Sequence, residues 1–242
     1  MKQATWKIMN IFYSSSITDD SCVLDESESR HCIRVLRMRE GSVVRITDGK
    51  GNIYEGVISS ADTKRCRIRI TGIVYSDTGN KFSVHIAISP LKNHERLEWF
   101  TEKCVEIGLD EITPVICHNT EKEIIKPDRL NGIIVAAMKQ SLKAFRPVLN
   151  DPVLFKDFVK RDFTGKKLIA HCKNDIERNS IGSLYMKGET VTILIGPEGD
   201  FTEAEINLAL ENGFLPVHLG TSRLRTETAG IAACHSVYFI NQ

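Results

Sequence analysis

Apolar and polar residues alternate along the first third of the chain. The alternation runs through "SVVRITDGKGNIYEGVISS" and "RCRIRITGIVY", and the turn Asp48-Gly49-Lys50-Gly51 interrupts it. A period of two is typical of strands with one buried face, and a glycine-rich turn between two such runs predicts an antiparallel hairpin. Residues 1–75 are therefore predicted to form a small β-sheet or β-barrel domain.

After residue 76 the pattern changes to short apolar runs separated by longer helical segments. The predicted strands are "FSVHIAIS", "EITPVIC", "KKLIAHC", "VTILIG" and "LPVHLG". Helices are predicted over "HERLEWFTEKCVEIG", over a long segment "DRLNGIIVAAMKQSLKAF", before and after "VTILIG", and at the end of the chain. Continuous apolar runs suit strands that are covered on both faces. The alternation predicts that residues 76–242 form an α/β domain with a largely parallel sheet and helices on both faces.

Two of these strands lead into turns that are candidate ligand sites, since ligands of open α/β sheets bind at the carboxyl ends of the strands. The first is "LIGPEGDFTEAEI" and the second is "LPVHLGTSRLRTETAG". Pro197 removes a backbone donor from the first turn, and Glu198 and Asp200 add negative charge, so a neutral or cationic ligand suits it better than a phosphate. Thr202 and Glu205 form a predicted capping box, which explains both residues without a ligand.

The helix after the second turn begins with Thr226, Glu227 and Thr228 and continues with the small residues Ala229, Gly230, Ala232 and Ala233. Small side chains permit the close approach of another backbone, and a tightly packed terminal helix explains them as well as a ligand does. Glu227 at the start of this helix is favoured by the helix dipole.

Positive charge is concentrated near the start of the chain. Residues 1–75 contain 12 Lys and Arg against 9 Asp and Glu, a net charge of +3, whereas residues 76–242 contain 20 against 22, a net charge of −2. Two basic faces are predicted there: one stripe of a helix that ends near Gly41, and one face of a strand. Each face is either ordinary solvated surface or a contact for phosphates. The residues are Arg30, Arg34 and Arg37 on the helix, and Arg65, Arg67 and Arg69 on the strand.

Composition excludes several classes of protein. At 242 residues and 42% hydrophobic content the chain is long enough for one large or two modest cores. Neither a membrane-spanning run nor a signal peptide is recognisable, so a cytoplasmic protein is expected. The seven cysteines lack C-x-x-C spacing, and neither a disulfide framework nor a metal site is expected. The dinucleotide fingerprint and the P-loop are also absent from the sequence.

The two turn motifs, in this order and spacing, resemble those of the RsmE family of ribosomal RNA methyltransferases. "HCIRVLRMREG", "EKCVEIGLDEITPV" and "MKQSLKAFRP" extend the resemblance over nearly all of the chain from Met9. The common family form of the first motif is GPEGG, and this chain carries Asp200 at the last position. The resemblance implies a PUA-like RNA-binding domain, a SPOUT-class α/β domain with a trefoil knot, and a homodimer. The implied product is 3-methyluridine in 16S ribosomal RNA, either naked or in the assembled small subunit.

The resemblance also implies the site residues. S-adenosylmethionine is expected to bind among Ile195, Gly196, Pro197, Gly199, Leu219, Gly220, Leu224 and Arg225, with His171 at a neighbouring strand end. Arg225 is expected to stabilise negative charge on the uracil oxygens. Glu227 either accepts a proton or orients Arg225, and orientation is the preferred interpretation. RNA contacts are expected from two stripes at helical spacing: Arg30, Arg34 and Arg37, and Lys139, Lys143 and Arg146.

Two alternatives remain open at this stage. In the first, the chain is a methyltransferase that modifies another RNA or another atom; in the second, it is a ribosome-assembly factor that binds RNA without chemistry. The segment "MKQATWKI", residues 1–8, has no counterpart in the family's usual opening and is interpreted as an upstream extension.

Overall fold

The computed structural model describes residues 10–79, 82–173 and 176–242, so the segment interpreted as an extension lies outside the described residues. The chain divides into two compact units. The first contains the described residues up to Gly79 together with Met138–Arg146, and the second contains the others. The sequence prediction placed residues 138–146 in the second domain. They belong to the first because Ala144 lies in a buried cluster with Ile11 and Ile53.

The first unit is built on a five-stranded sheet in the order β1-β3-β4-β5-β2. Its strands are β1 (Ile11–Tyr13), β2 (Ser21–Val23), β3 (Val43–Thr47), β4 (Asn52–Ser60) and β5 (Arg67–Ser76). The β1–β3 pair is parallel, and the others are antiparallel. The predicted hairpins are confirmed, since β3 and β4 are joined by the predicted turn. The alternation has the expected effect: Cys66 and Ile68 are buried, whereas Arg67 and Arg69 are exposed.

The helix predicted to end near Gly41 is different in the structure. An α-helix, α1 (Glu26–Arg30), passes into a π-helical turn over His31–Val35, and the predicted end near Gly41 is wrong. The wider π-helical turn changes the angular spacing of the side chains, and Arg37 has a left-handed φ of 54°. The three predicted arginines are exposed, but they do not lie along one α-helical stripe: Arg30, Arg34 and Arg37.

The second unit contains a parallel sheet in the order β11-β13-β10-β12-β6-β7-β8, with β9 beside β7. Its strands are β6 (Val84–Ile88), β7 (Glu111–Ile116), β8 (Val148–Leu149), β9 (Val153–Leu154), β10 (Lys166–Ala170), β11 (Asn179–Ser180), β12 (Val191–Ile195) and β13 (Leu215–His218). Every strand pair that the structure describes in this sheet is parallel, which confirms the predicted fold class. The trefoil knot stays a prediction from the resemblance.

Six helices follow or separate these strands: α2 (His94–Ile107), α3 (Pro127–Gln140), α4 (Phe155–Phe158), α5 (Ile181–Leu184), α6 (Glu203–Glu211) and α7 (Thr226–Ile240). The capping box of Thr202 and Glu205 at the start of α6 is confirmed. The structure explains one of the small residues of α7, because a Cβ at Gly230 would lie 2.5 Å from the ring of Phe100 on α2. The close approach predicted for α7 is therefore made to α2.

Helix α3 is shorter than predicted. It ends at Gln140, and Leu142 adopts a left-handed φ of 57° two residues later. A bulky residue in that conformation interrupts helical geometry, so the chain turns away before the predicted end of the helix. The second predicted stripe is consequently wrong as a helical arrangement, since two of its three members follow the helix: Lys139, Lys143 and Arg146.

The second unit has a continuous apolar core. All five residues of β6 and all five of β12 are buried, as expected for strands covered on both faces. A cluster that includes Leu194, Phe201 and Ile206 packs the start of α6 onto the sheet. No helix in the described part of the chain is long and apolar enough to cross a membrane.

Candidate functional site

Three neighbouring strands, β13, β10 and β12, end at one edge of the parallel sheet. The turn Gly196–Asp200 follows β12, His171 follows β10, and the second motif follows β13. Parallel strands present their carboxyl ends on the same side, so these three segments converge. The two motifs are therefore brought together with the histidine between them.

Two adjoining cavities lie at this edge. The larger has a volume of about 740 Å³ and the smaller about 360 Å³, and both are within the range of small-molecule sites. All nine residues predicted to bind the cofactor line one cavity or the other. The larger is lined by His171, Gly199, Leu219, Gly220 and Leu224, and the smaller by Ile195, Gly196, Pro197, Leu224 and Arg225.

Residues that follow the ends of neighbouring strands hold the first turn in place by hydrogen bonds. The Asn119 side chain donates to the carbonyls of Gly199, at 3.3 Å, and Asp200, at 2.9 Å. The Lys92 amide donates to Glu198 Oε1 at 3.2 Å. Glu198 therefore anchors the turn through one carboxylate oxygen. Part of its negative charge is taken up by this hydrogen bond and is not directed only at a ligand.

Asp200 is the residue that departs from the family motif, and the structure shows what it does. Its φ is 63°, in the left-handed region that glycine adopts freely, which explains why glycine is common at this position. Asp200 Oδ2 accepts from the Cys172 amide and Oδ1 from its neighbour Phe201, both at 2.8 Å. The bond from Cys172 ties the turn to the end of β10, and both bonds offset the strained backbone.

The second turn depends on a glycine. Gly220 has a φ of 111°, and its amide donates to His218 Nδ1 at 3.3 Å. His171 is 4% exposed, and its Nδ1 accepts from the Lys173 amide at 3.2 Å. The histidine thus shapes the wall of the larger cavity.

The catalytic candidates lie at the start of α7. Arg225 is the N-cap residue and is exposed, and its side chain lines the smaller cavity. Glu227 is 6% exposed, and its Oε1 lies 3.7 Å from Nε of Arg96 on α2. Within the described residues, Glu227 Oε2 is buried with no hydrogen-bond partner. The carboxylate faces Arg96, whereas the predicted orienting contact was to Arg225.

Several lining or supporting residues were not predicted from the sequence, among them Asn119, Cys172, Arg96 and Arg223. Asn119 and Cys172 follow the ends of β7 and β10, so the strand-end rule that identified the two turns would have found them as well. Arg96 lies within a helix, and Arg223 lies inside the second motif between predicted residues. Nothing in the local sequence around Arg96 distinguishes it from a solvated helix residue.

The residues predicted to contact RNA all belong to the first unit, but their environments differ. Lys139 pairs with Glu28, and both side chains are largely buried. Arg146 lies over the ring of Tyr13, 5.8 Å from its centroid. Arg30 pairs with Glu26 at 2.6 Å. Lys143 is half-buried, whereas Arg34 and Arg37 are exposed.

The basic face of β5 is more open. Arg65, Arg67 and Arg69 are exposed, and Arg65 and Arg67 line a cavity of about 710 Å³ in the first unit together with Tyr13. An aromatic ring beside exposed cations is a combination that single-stranded nucleic acids use, through base stacking and phosphate contacts. Cationic residues on this face are therefore more accessible to solvent than Lys139.

The fold and the site define a class of enzyme: a parallel α/β domain with a cofactor-sized cavity at its strand ends, joined to a small basic β domain. Residues 78–238 match a family model described as an RNA methyltransferase domain, and residues 24–71 match one described as an RNA methyltransferase PUA domain. The chain belongs to this RNA methyltransferase family, and the predicted resemblance is confirmed.

Relatives with the same architecture are known. A probable rRNA methyltransferase from Porphyromonas gingivalis is 40% identical, with a TM-score of 0.89 over 96% of this chain and 98% of that one. The Neisseria gonorrhoeae ribosomal RNA small subunit methyltransferase E, solved bound to S-adenosyl methionine, is 27% identical, with a TM-score of 0.80 over 96% and 97%. The Synechocystis protein of that name is 26% identical over 90% of this chain and 72% of its own length.

Proposed function

We propose that the protein transfers a methyl group from S-adenosylmethionine to ring nitrogen 3 of a uridine in 16S ribosomal RNA. The observation that carries this proposal is the meeting of the two motif turns around adjoining cavities, the smaller of which is lined by Arg96, Arg223 and Arg225. Residues expected to bind the cofactor line both cavities, so the cofactor would extend from the larger cavity along their shared wall, with the base beside it in the smaller cavity.

The residues of the larger cavity fit the cofactor. Leu219 and Leu224 supply apolar surface for a flat heterocycle, and Gly220 allows close approach to the backbone. Asp200 supplies a carboxylate beside a ligand that carries positive charge. S-adenosylmethionine, when bound, provides an electrophilic methyl group on a sulfonium centre.

The chain's own residues must stabilise the uracil base as it reacts. Nitrogen 3 carries a proton, and its lone pair is delocalised into two carbonyl groups, so negative charge develops on the uracil oxygens when the proton leaves. Arg225 carries a positive guanidinium group and lines the smaller cavity, where it can stabilise this charge. Nitrogen 3 lies on the Watson–Crick edge, so the base must enter unpaired.

The first unit supplies the RNA-binding surface in this proposal. Arg34 and Arg37 remain candidates because they are exposed, and the β5 face adds Arg67 and Arg69. Lys139 contributes less, because its charge is neutralised by Glu28. Lys143 and Arg146 stay candidates at the edge of this surface.

We further propose that the protein works as a homodimer in the cytoplasm, where small subunits are assembled. The substrate is either naked 16S ribosomal RNA or the assembled subunit. Two other functions, methylation of another RNA and RNA binding without chemistry, are separated from this proposal by the same experiment.

The experiment is a methyl-transfer assay with labelled S-adenosylmethionine. The purified protein is incubated with 16S ribosomal RNA, with small subunits and with unrelated RNA, and the product is located by mass spectrometry of ribonuclease fragments. We expect a single 3-methyluridine in 16S ribosomal RNA. Label in another RNA would favour the first alternative. RNA binding without label would favour the second. Light scattering would give the oligomeric state in the same preparation.

A further inference from the structure

The smaller cavity contains more positive charge than a cationic cofactor explains. Arg96, Arg223 and Arg225 all line it, together with two carboxylates, Glu198 and Asp200, that accept hydrogen bonds from backbone amides. Three guanidinium groups would repel a sulfonium ligand if they acted on it alone, so they indicate a second ligand that is electron-rich or anionic. A uracil with charge developing on its two carbonyl oxygens is such a ligand.

Arg96 differs from the other two arginines because the buried carboxylate of Glu227 lies next to its guanidinium group. Its Nε lies 3.7 Å from Glu227 Oε1, which is an ion-pair distance but too long for a hydrogen bond. Glu227 Oε2, within the described residues, has no hydrogen-bond partner although it is buried. A buried carboxylate oxygen without a partner is costly in free energy, so the Glu227 carboxylate lacks one hydrogen bond that would satisfy it.

The guanidinium group of Arg96 can donate the hydrogen bond that the Glu227 carboxylate lacks. Arginine presents a planar fork that matches a carboxylate with two parallel hydrogen bonds. The Arg96 side chain is 39% exposed and so has room to move, whereas Glu227 is fixed in the first turn of α7, where the helix dipole favours its charge. Contacts of catalytic groups are often long before the substrate binds and tighten in the complex.

We propose that Arg96 is a catalytic residue that contacts a uracil carbonyl oxygen of the acceptor base, and that Glu227 positions it. This inference rests on the proposed function. Arg96 and Arg225 approach the cavity from α2 and from the start of α7, so they can act on different carbonyl oxygens of one base. Glu227 then acts through Arg96 and not as the group that receives the proton.

The test is a double-mutant cycle of Arg96→Gln and Glu227→Gln in the full-length protein, with Arg96→Lys as the conservative variant. Single-turnover methyl transfer is measured with RNA and S-adenosylmethionine saturating, and cofactor affinity is measured by calorimetry. Arg129→Gln is the matched control, because it removes an arginine that pairs with Glu98 outside both cavities. Cofactor affinity within about threefold of wild type shows that each variant is folded.

We expect Arg96→Gln to lower the rate by about 100-fold, as loss of one oxyanion donor does, and Arg96→Lys to recover part of it. Glu227→Gln should lower the rate less and should have no further effect in the Arg96→Gln background. The pH profile of Glu227→Gln should keep its shape. The control should behave like wild type.

Four outcomes would contradict this assignment. An Arg96→Gln rate near that of wild type, with wild-type methyl transfer intact, would overturn the inference alone. Multiplying effects of the two substitutions, or loss of the acidic limb in Glu227→Gln, would make Glu227 act directly on the base. Absence of methyl transfer by the wild-type protein would overturn the proposed function and this inference with it.

Discussion

At the scale of single residues, the candidate site depends on backbone geometry as much as on side-chain chemistry. Asp200 has a left-handed backbone conformation, which glycine adopts without strain. The carboxylate of Asp200 accepts hydrogen bonds from two backbone amides, and these bonds stabilise that conformation. Gly199, one residue earlier, has an ordinary φ, but a Cβ there would lie 3.2 Å from the Cβ of Asn119. Neighbouring positions in one turn are thus constrained for different reasons.

Substitution of Asp200 separates backbone strain from side-chain contacts. Asp200→Ala loses both hydrogen bonds and keeps the left-handed strain, which costs about 1–2 kcal/mol for a residue with a Cβ. Asp200→Gly loses the same bonds but relieves the strain. We expect Ala to lower the melting temperature by at least about 2 °C more than Gly. Equal melting temperatures in calorimetry would show that the backbone conformation contributes nothing.

Gly199→Val should weaken S-adenosylmethionine binding by at least about tenfold, equivalent to about 1.4 kcal/mol. The added side chain would push against Asn119, whose amide donates to the carbonyls of Gly199 and Asp200, and would displace the turn. Titration calorimetry without added metal measures the affinity. Gly72→Val is the matched control, because a Cβ at Gly72 meets no described atom within 4 Å on strand β5. Undiminished affinity in Gly199→Val would place the cofactor elsewhere.

Arg225→Lys should lower turnover much more than cofactor affinity. Lysine keeps the positive charge but loses the planar fork that can face a carbonyl oxygen. Because the contact is proposed to strengthen as charge develops on the uracil, its loss should appear in the single-turnover rate, by about tenfold to 100-fold. A parallel loss of affinity and rate would mean that Arg225 only binds the cofactor.

At the scale of helices and strands, periodicity predicted the long elements and failed at the short ones. The runs that became β6 and β12 are continuously apolar and buried, and no other structure suits them. The two-residue strands β8, β9 and β11 are too short to show a period, so tertiary contacts determine them. The early end of α3 depends on a left-handed Leu142, a conformation that the sequence pattern does not indicate.

The part of the site that could be predicted from the sequence is the part formed by residues close together in the chain. The motif turns carry their own signal: the buried strand β12 leads into Gly196 and Pro197, the strand β13 leads into Leu219 and Gly220, and these residues do line the cavities. Arg96 and Asn119 reach the site from other elements, and contacts such as that between Arg96 and Glu227 join residues far apart in the chain. Sequence spacing therefore led to the expectation that Glu227 contacts Arg225, its neighbour along the chain.

Charge reversal on strand β5 tests the proposed RNA surface. Arg67→Glu with Arg69→Glu removes two exposed cations from one face, so RNA affinity should fall, and the slope of log affinity against log salt should become shallower by about 1.5 to 2. Cofactor affinity should not change. Arg34→Glu with Arg37→Glu tests the other predicted face in the same way. Lys156→Glu with Lys160→Glu, exposed in the second unit, is the matched control. A salt slope equal to that of wild type would exclude the face concerned.

At the scale of the whole molecule, stability is linked to acidity through one buried histidine. His85 lies on β6 and is 5% exposed; its Nε2 lies 2.8 Å from Thr113 Oγ1 on β7, and its Nδ1 lies 3.3 Å from Thr192 Oγ1 on β12. The imidazole therefore joins three adjacent strands of the sheet. Burial lowers the pKa of His85; Glu111 acts in the opposite direction, and Arg161 adds to the lowering.

The sign of the pH dependence follows from this shift. The unfolded chain binds a proton at His85 near pH 6.5, whereas the folded protein binds it only at lower pH, so the free energy of unfolding is greatest above about pH 6.5. As the pH falls below that value, protonation favours the unfolded chain, and stability is lost until the folded pKa is reached.

Urea unfolding at a series of pH values between about 7.5 and 5 should show this loss for the wild-type protein. His85→Gln keeps a side chain that can hydrogen-bond to the two threonines but cannot take up a proton in this range, so its stability should be lower at pH 7.5 and vary less with pH. His118→Gln is the matched control, since that imidazole is exposed in the same unit. An unchanged pH dependence in His85→Gln, or the same flattening in the control, would remove His85 as the group that links acidity to the stability of the sheet.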